Sequence, residues 1–322
     1  MTTRGDRPAT TPGAAPDDRA RVEPAGADPA TTVRTVVDPP HPQPASRPPA
    51  SNGPGSEQPA LEEPASHEPA FKDHFSAVAD AYAAARPGYP DALFEALAAV
   101  VPPTATVWEP GCGSGQATCG LATRFARVHA SDPSARQVAL HWAAHATAGS
   151  ARHVTLSVER GEHTTLPDGS VHLVAVAQAL HWFDRGRFFA ECERVLAPGG
   201  VLAAWGYADF LAPEGMGDAV AAFRARIERH WPPERAQVDA RYAGYDWPFP
   251  ALPAPSLWLD ADWSLAQFLR YLGSLSASAR CLAETGEDPV ARHAQALSAA
   301  WGPPGDVRNL RWPLFLHLRR KA

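Results

Sequence analysis

No phenylalanine, tyrosine or tryptophan occurs before Phe71 in this chain of 322 residues, whereas fifteen of its 34 prolines fall in that same opening segment. A stretch without aromatics cannot bury enough apolar surface to offset the entropy of ordering it. Residues 1–70 therefore read as a disordered tail with polyproline-II character. The tail lacks the apolar core of a secretion signal, and its ten acidic residues against six arginines argue against an import presequence. Nowhere does an uncharged apolar run approach the roughly 20 residues that cross a bilayer, so no membrane partner is expected. The four cysteines, Cys112, Cys119, Cys192 and Cys281, are scattered without metal-ligand or disulfide spacing. They read as packed thiols of a reducing, cytoplasmic compartment. A net charge of -6 and a pI near 6.1 exclude a broad electrostatic footprint for nucleic acid.

From Phe71 onward the chain has ample material for a core, since 45% of all its residues are hydrophobic. Phe71, Phe75, Val78 and Tyr82 share one face of a helix that stops at Arg86, because Pro87 disfavours the helical conformation of its predecessor. A second helix from about residue 90 carries Leu93, Phe94, Leu97 and Val100. From there strands are expected over 105–108, 126–130, 153–158, 171–177 and 201–207, with helices over 116–125, 134–146 and 184–195 between them. The run V-H-L-V-A-V-A at 171–177 has the apolar content of a strand buried on both faces. Such alternation predicts an α/β, doubly wound, mostly parallel sheet with helices on both faces, whose ligands sit at the carboxyl ends of the strands. Residues 208–322 break the rhythm. Helices are expected over 213–230, 264–272 and 289–301, the Pro- and aromatic-rich stretch 232–255 has no assigned element, and 310–318 reads as a terminal strand. This half is expected to form a helical cap and then to complete the sheet.

The stretch V-W-E-P-G-C-G-S-G-Q at 107–116 is a glycine turn between a strand and a helix, the usual place for phosphate. The dinucleotide pattern G-x-G-x-x-G fails at Gln116, and the turn lacks the lysine of a phosphate-binding loop. What remains is acid-x-G-x-G-x-G, with Glu109 ending the first strand and Asp132 ending the second. A carboxylate beside the turn repels pyrophosphate and attracts a ligand with positive charge and hydroxyl donors. S-adenosylmethionine fits: it carries an ammonium, a sulfonium and a ribose diol, and no phosphate. Glu109 would serve the ammonium end and Asp132 the ribose hydroxyls.

With F-S-A-V-A-D-A-Y-A-A-A-R-P-G-Y-P (75–90), W-E-P-G-C-G-S-G-Q-A-T (108–118), A-S-D-P-S-A-R-Q (130–137), L-P-D-G-S-V-H-L-V (166–174), A-Q-A-L-H-W-F (177–183) and R-V-L-A-P-G-G (194–200) in order, the chain resembles the class I S-adenosylmethionine-dependent methyltransferases. Within them it is similar to the type 11 group that includes enzymes like trans-aconitate methyltransferase. The resemblance is strong over 71–207 and weaker to Leu318. It implies a Rossmann-like sheet of seven strands, a cofactor-binding core over 71–207 with an N-terminal lid, and a cap with the last strands over 208–322. It further implies that Tyr82 and Arg86 belong to the lid, with Arg86 able to pair with the cofactor carboxylate. Gly111, Cys112, Gly113, Gly115 and Gln116 would floor the site, Pro133 and Ser134 would flank Asp132, and Glu162 and His163 would meet adenine. Gln178 and His181 would face the methyl-transfer end, with His181 the catalytic candidate.

Blander roles stay open for several of these. Glu109 and Asp132 also suit helix caps, Arg86 a side chain snorkelling beside Tyr89, Tyr82 a core position, and Trp182 and Phe183 plain packing. His181 suits a general base or, for a carboxylate acceptor that needs none, an orienting group. The expected activity is methyl transfer to a small-molecule acceptor, at a carboxylate or hydroxyl oxygen. A cofactor-binding module without turnover is the alternative. A nucleic-acid substrate is disfavoured, since neither an Asn/Asp-Pro-Pro-aromatic turn nor a Pro-Cys nucleophile is present.

Overall fold

Within β4 (Val171–Ala177), Leu173 and Ala175 join one apolar cluster while Val174 and Val176 join another, and all four are fully buried. Alternate residues of a strand point to opposite faces, so this strand lies between two cores. It is flanked in parallel by β1 (Thr106–Pro110) and β5 (Leu196–Tyr207). The structure, a computed structural model, describes residues 86–148 and 153–322. These belong to the second of two units, His67–Ala322. The expected tail and the expected helix with Phe71, Phe75, Val78 and Tyr82 lie outside the described residues.

Continuing outward from β1 are β2 (Arg127–Ser131) and β3 (Val154–Ser157), also parallel. The described residues form an eight-stranded sheet in the order β3-β2-β1-β4-β5-β8-β6, where β6 is Ala251–Leu252, with β7 (Leu257–Ser264) paired to β8 (Val307–Arg320). The chain winds one way through β2 and β3 and the other way through β4 and β5, so the crevice between the carboxyl ends of β1 and β4 is the switch point where ligands of such sheets bind. Between and before these strands run α1 (Asp91–Ala98), α2 (Thr118–Arg124), α3 (Ala135–Ala148) and α4 (Arg185–Val195). The α4 helix starts where Asp184 accepts the Arg187 amide at 3.2 Å, an N-cap. His172, the polar residue in β4, accepts the Thr106 amide at 3.2 Å and so ties β4 to the start of β1.

Beyond β5 the chain forms α5 (Gly217–Ile227), α6 (Arg235–Asp239), β6 (Ala251–Leu252), β7, α7 (Leu265–Gly273), α8 (Ser276–Thr285) and α9 (Pro289–Trp301). Ser264 and Gln267 close a capping box on α7. Asp288 caps α9, whose first residue is Pro289. Trp312, Trp301, Phe268 and Tyr271 are fully buried in this half, and the Trp312 indole donates to the Tyr271 hydroxyl at 3.1 Å. No described helix is long and apolar enough to cross a membrane.

The sheet is mostly parallel, and β8 closes it antiparallel to β5. It has eight strands where seven were expected, because the two-residue β6 adds to β8. Boundaries and elements also differ from expectation. β5 begins at Leu196 and runs through Pro198-Gly199-Gly200, held by Leu196 opposite Val171 and by the Lys321 amide on Gly200 O at 2.9 Å. Neither partner is local in sequence. The strand β7 went unassigned although Leu257, Leu259 and Trp263 are buried and alternate with exposed Trp258, Asp260 and Asp262, a period-two signal. Helix α8 was likewise missed, and α6 and β6 interrupt the stretch read as irregular.

Candidate functional site

Glu109 sits one residue before the end of β1 and is 1% exposed. One carboxyl oxygen accepts the Thr118 hydroxyl at 2.6 Å, and among the described residues nothing partners the other. Burial pushes its pKa up to about 8, the Thr118 hydrogen bond opposes that shift, and the nearby Asp132 carboxylate adds to it. A carboxyl with its pKa raised to about 8 is largely protonated at neutral pH.

The turn after Glu109 is shaped for a close ligand. Gly113 has φ +54°, which side chains rarely adopt, and a Cβ there would meet nothing within 4 Å. Gly113 also lines the cavity. A Cβ on Gly111 would come within 2.8 Å of the Ala179 side chain, which keeps the β1 turn against the segment after β4. Gly115 is placed differently from expectation. It does not line the cavity, and a Cβ there would lie 2.5 Å from the His141 ring, so this glycine lets α3 approach the turn. The Cys112 amide donates to Ser131 O at 3.0 Å, and its thiol lies 3.4 Å from His141 Nδ1. Burial holds that thiol well above its ordinary range, so Cys112 is a packed, unreactive wall.

Asp132 follows β2 and braces the turn. Its Oδ2 accepts the Gly113 amide at 3.0 Å and its Oδ1 accepts the Ser134 amide at 2.9 Å. Pro133 and Ser134 line the cavity beside it. Gln116 accepts the Ser114 hydroxyl at 3.3 Å, while its side-chain nitrogen has no partner among the described residues. The same holds for the side-chain oxygen of Gln137, a cavity residue that sequence reasoning did not single out.

The opposite wall comes from the ends of β4 and β5. Gln178 has φ +54°, and its amide accepts the Tyr207 N–H at 2.9 Å and donates to Tyr207 O at 2.7 Å. It lines the cavity while clasping two strand ends. His181 lies in a single 3-10 turn, Leu180–Trp182. Its Nδ1 is 3.1 Å from the Tyr242 hydroxyl, and its ring is 4.7 Å from that of Trp182. Desolvation, helped by the Arg235 guanidinium, pulls its pKa down to about 3, so the imidazole is neutral at physiological pH. Glu162 accepts the Asp184 amide at 2.8 Å, which joins the segment after β3 to the start of α4. The His163 side chain is exposed, 3.9 Å from Glu191.

Together these walls enclose a cavity of about 520 Å³, within the range of small-ligand sites. Arg86, Glu109, Gly111, Cys112, Gly113, Gln116, Asp132, Pro133, Ser134, Glu162, His163, Gln178 and His181 all line it; Tyr82 lies outside the described residues. Arg86 lies over the Tyr271 ring at 5.3 Å and donates to Ser274 O at 3.4 Å, which sets it against the end of α7. Tyr89 also lines the cavity, with its ring edge against Trp205 at 5.8 Å. Tyr207, at the end of β5, and Glu234, from the half beyond it, complete the wall. Tyr89 stands inside a motif that was legible, whereas Glu234 and Tyr242 carry no local signal.

Residues 108–204 match the family model of a methyltransferase domain. A solved structure from Anaeromyxobacter dehalogenans, assigned as a type II methyltransferase, is 41% identical and superposes with a TM-score of 0.65 over 73% of this chain and 97% of that one. A protein of Dictyostelium discoideum assigned as a methyltransferase is 27% identical over 260 residues, covering 78% of this chain and 96% of its own length. The trans-aconitate 2-methyltransferase of Deinococcus radiodurans is 38% identical over 112 residues, 33% of this chain and 40% of that enzyme. The chain belongs to the class I S-adenosylmethionine-dependent methyltransferases, in their type 11 group.

Proposed function

We propose that this chain binds S-adenosylmethionine across the carboxyl ends of β1 and β2 and transfers its methyl group to an oxygen of a small-molecule acceptor held under the cap. The observation that carries this is Glu109, a buried carboxyl with one oxygen unpartnered among the described residues, facing a glycine turn with room for a ligand. The residues fit the cofactor. Glu109 suits the ammonium group, Asp132 the ribose diol, and the nitrogen of Gln116 a carboxylate or ring acceptor. Pro133 and Ser134 continue the wall beside Asp132, Glu162 and His163 stand where the adenine would lie, and Arg86 suits the cofactor carboxylate. When bound, S-adenosylmethionine supplies a methyl group open to direct displacement by an oxygen nucleophile.

The chain's own residues then orient and exclude water. Trp182, Phe183 and Tyr207 present apolar rings to the cavity, and the low polarity they create strengthens each hydrogen bond inside it. Holding two reactants in line supplies most of what such a transfer needs. A small carboxylic acid is the favoured acceptor, in agreement with the trans-aconitate methylation by which the Deinococcus relative is named, and trans-aconitate is a natural first probe. The test is incubation of the full chain with methyl-labelled S-adenosylmethionine and either trans-aconitate or a metabolite extract, followed by mass spectrometry. A labelled small molecule is expected. Binding of the cofactor with no labelled product would leave the non-catalytic module as the better reading.

A further inference from the structure

The cap sends one hydroxyl to the cavity wall from behind. Tyr242 is 1% exposed and has φ +54°, a backbone conformation that a residue with a side chain keeps only where its surroundings hold it. Here its ring stacks on Tyr245 at 5.0 Å and meets Phe315 edge-on at 5.1 Å. The hydroxyl lies 3.1 Å from Nδ1 of His181. Among the described residues Nδ1 is the hydrogen-bond partner of that hydroxyl, and a buried phenolic proton needs an acceptor. Nδ1 is placed to be that acceptor. A nitrogen that accepts carries no proton, so the neutral ring carries its proton on Nε2.

The surroundings keep the ring neutral as well as oriented. Arg235 is the cation that faces it, and Arg235 is itself anchored by Asp239 at 2.7 Å and Asp209 at 3.4 Å. With Nδ1 engaged, Nε2 is the ring nitrogen left for the cavity that His181 lines. We propose that Tyr242 is a positioning residue that holds His181 as the Nε2–H form, so that the site offers its acceptor a hydrogen-bond donor and no base, and thereby selects carboxylates. A carboxylate oxygen gives up no proton on methylation, whereas a hydroxyl or ammonium acceptor must lose one. The substrate class rests on the methyl-transfer reading; the tautomer does not.

Nitrogen-15 NMR of the full chain labelled at histidine tests it, with His181→Gln used to assign the resonance. The wild-type protein should show one His181 form at neutral pH, protonated at Nε2. In Tyr242→Phe, which removes the hydroxyl and keeps the ring, the two neutral forms should exchange. A proton on Nδ1 in the wild type would overturn the proposal, and so would an unchanged Nε2–H form in the folded variant. If Tyr242→Phe does not fold, 3-fluorotyrosine incorporated throughout keeps each ring and strengthens the hydroxyl as a donor. The His181 Nδ1 resonance should then shift, and a resonance that stays put would overturn the proposal. For the substrate class, the labelled product should release its methyl group in mild base, as an ester does. A base-stable product would overturn the carboxylate assignment and leave the tautomer standing. An absence of any labelled product would instead count against the methyl-transfer reading, with the nitrogen spectra still deciding the tautomer.

Discussion

The two walls of the cavity are built by different logics. The wall with Glu109, the glycine turn and Asp132 comes from two adjacent parallel strands and lies within 24 residues of sequence. Its contacts are carboxylate to backbone amide, such as Asp132 to Gly113 and Ser134. The wall with His181 draws its supports from far along the chain: Tyr242 lies 61 residues away, and Gln178 clasps Tyr207 across 29. On the proposed reading the first wall holds the cofactor and can serve any enzyme that uses it. The second can be rebuilt through the cap without disturbing the first, which is how one fold takes many acceptors.

Four substitutions or conditions probe that division. The largest effect is expected from Gly111→Val, because this position touches both walls. It combines φ +69° with a Cβ only 2.8 Å from Ala179 and 3.1 Å from Phe183. Left-handed strain of about 1–2 kcal/mol and overpacking of about 1–3 kcal/mol should lower stability together, and thermal unfolding should show it. Unchanged stability would mean that the turn and the β4 segment do not depend on each other.

Asp132→Ala should weaken cofactor binding by about 1.5 to 3 kcal/mol, the range for hydrogen bonds to a charged acceptor, in a protein that still folds. Calorimetry with wild-type affinity would remove the ribose role. Next comes pH. Glu109, with its pKa raised to about 8 by burial, is protonated in the free protein at neutral pH, and a cationic ligand favours its ionised form. Binding should therefore release a proton, and affinity should rise with pH up to about 8, by at most about tenfold per unit. Glu109→Gln should flatten that slope. The same shift has the opposite sign for folding: the stability this group contributes is full below the ordinary carboxylate range and is lost as pH rises through 8.

The smallest effect is expected at His181. His181→Ala should lower turnover by roughly tenfold, about the worth of one hydrogen bond, while cofactor affinity stays within error of wild type. With its pKa pulled down to about 3 by desolvation and Arg235, its titration should leave no inflection near pH 6 to 7 in the rate profile. An inflection there that vanishes in the variant would restore the role of a base.

The legibility of the fold and site in the sequence divides along the same line. The acid-and-glycine turn, Asp132 and the β4 run announce themselves because each is a local consequence of chemistry: a tight backbone, a strand end, an apolar run. The neutral state of His181 is not local. It depends on burial and on Arg235, 54 residues away, so the sequence leaves base and orienting group open. Gly115 shows a subtler limit. Its motif position implied a floor for the ligand, whereas its close contact is with His141 on α3. The early start of β5 required Val171 and Lys321 as partners. The strand β7 is a different case, since its alternation of Leu257, Leu259 and Trp263 with polar and exposed neighbours was present to be read.

The most direct measurement is isothermal titration of the full chain with S-adenosylmethionine in two buffers of different ionisation enthalpy at neutral pH. Stoichiometric binding that releases a proton in the wild type, and releases none in Glu109→Gln, is the predicted result. Absence of binding, or binding whose proton release survives that substitution, would contradict the assignment of the buried carboxyl as the cation site.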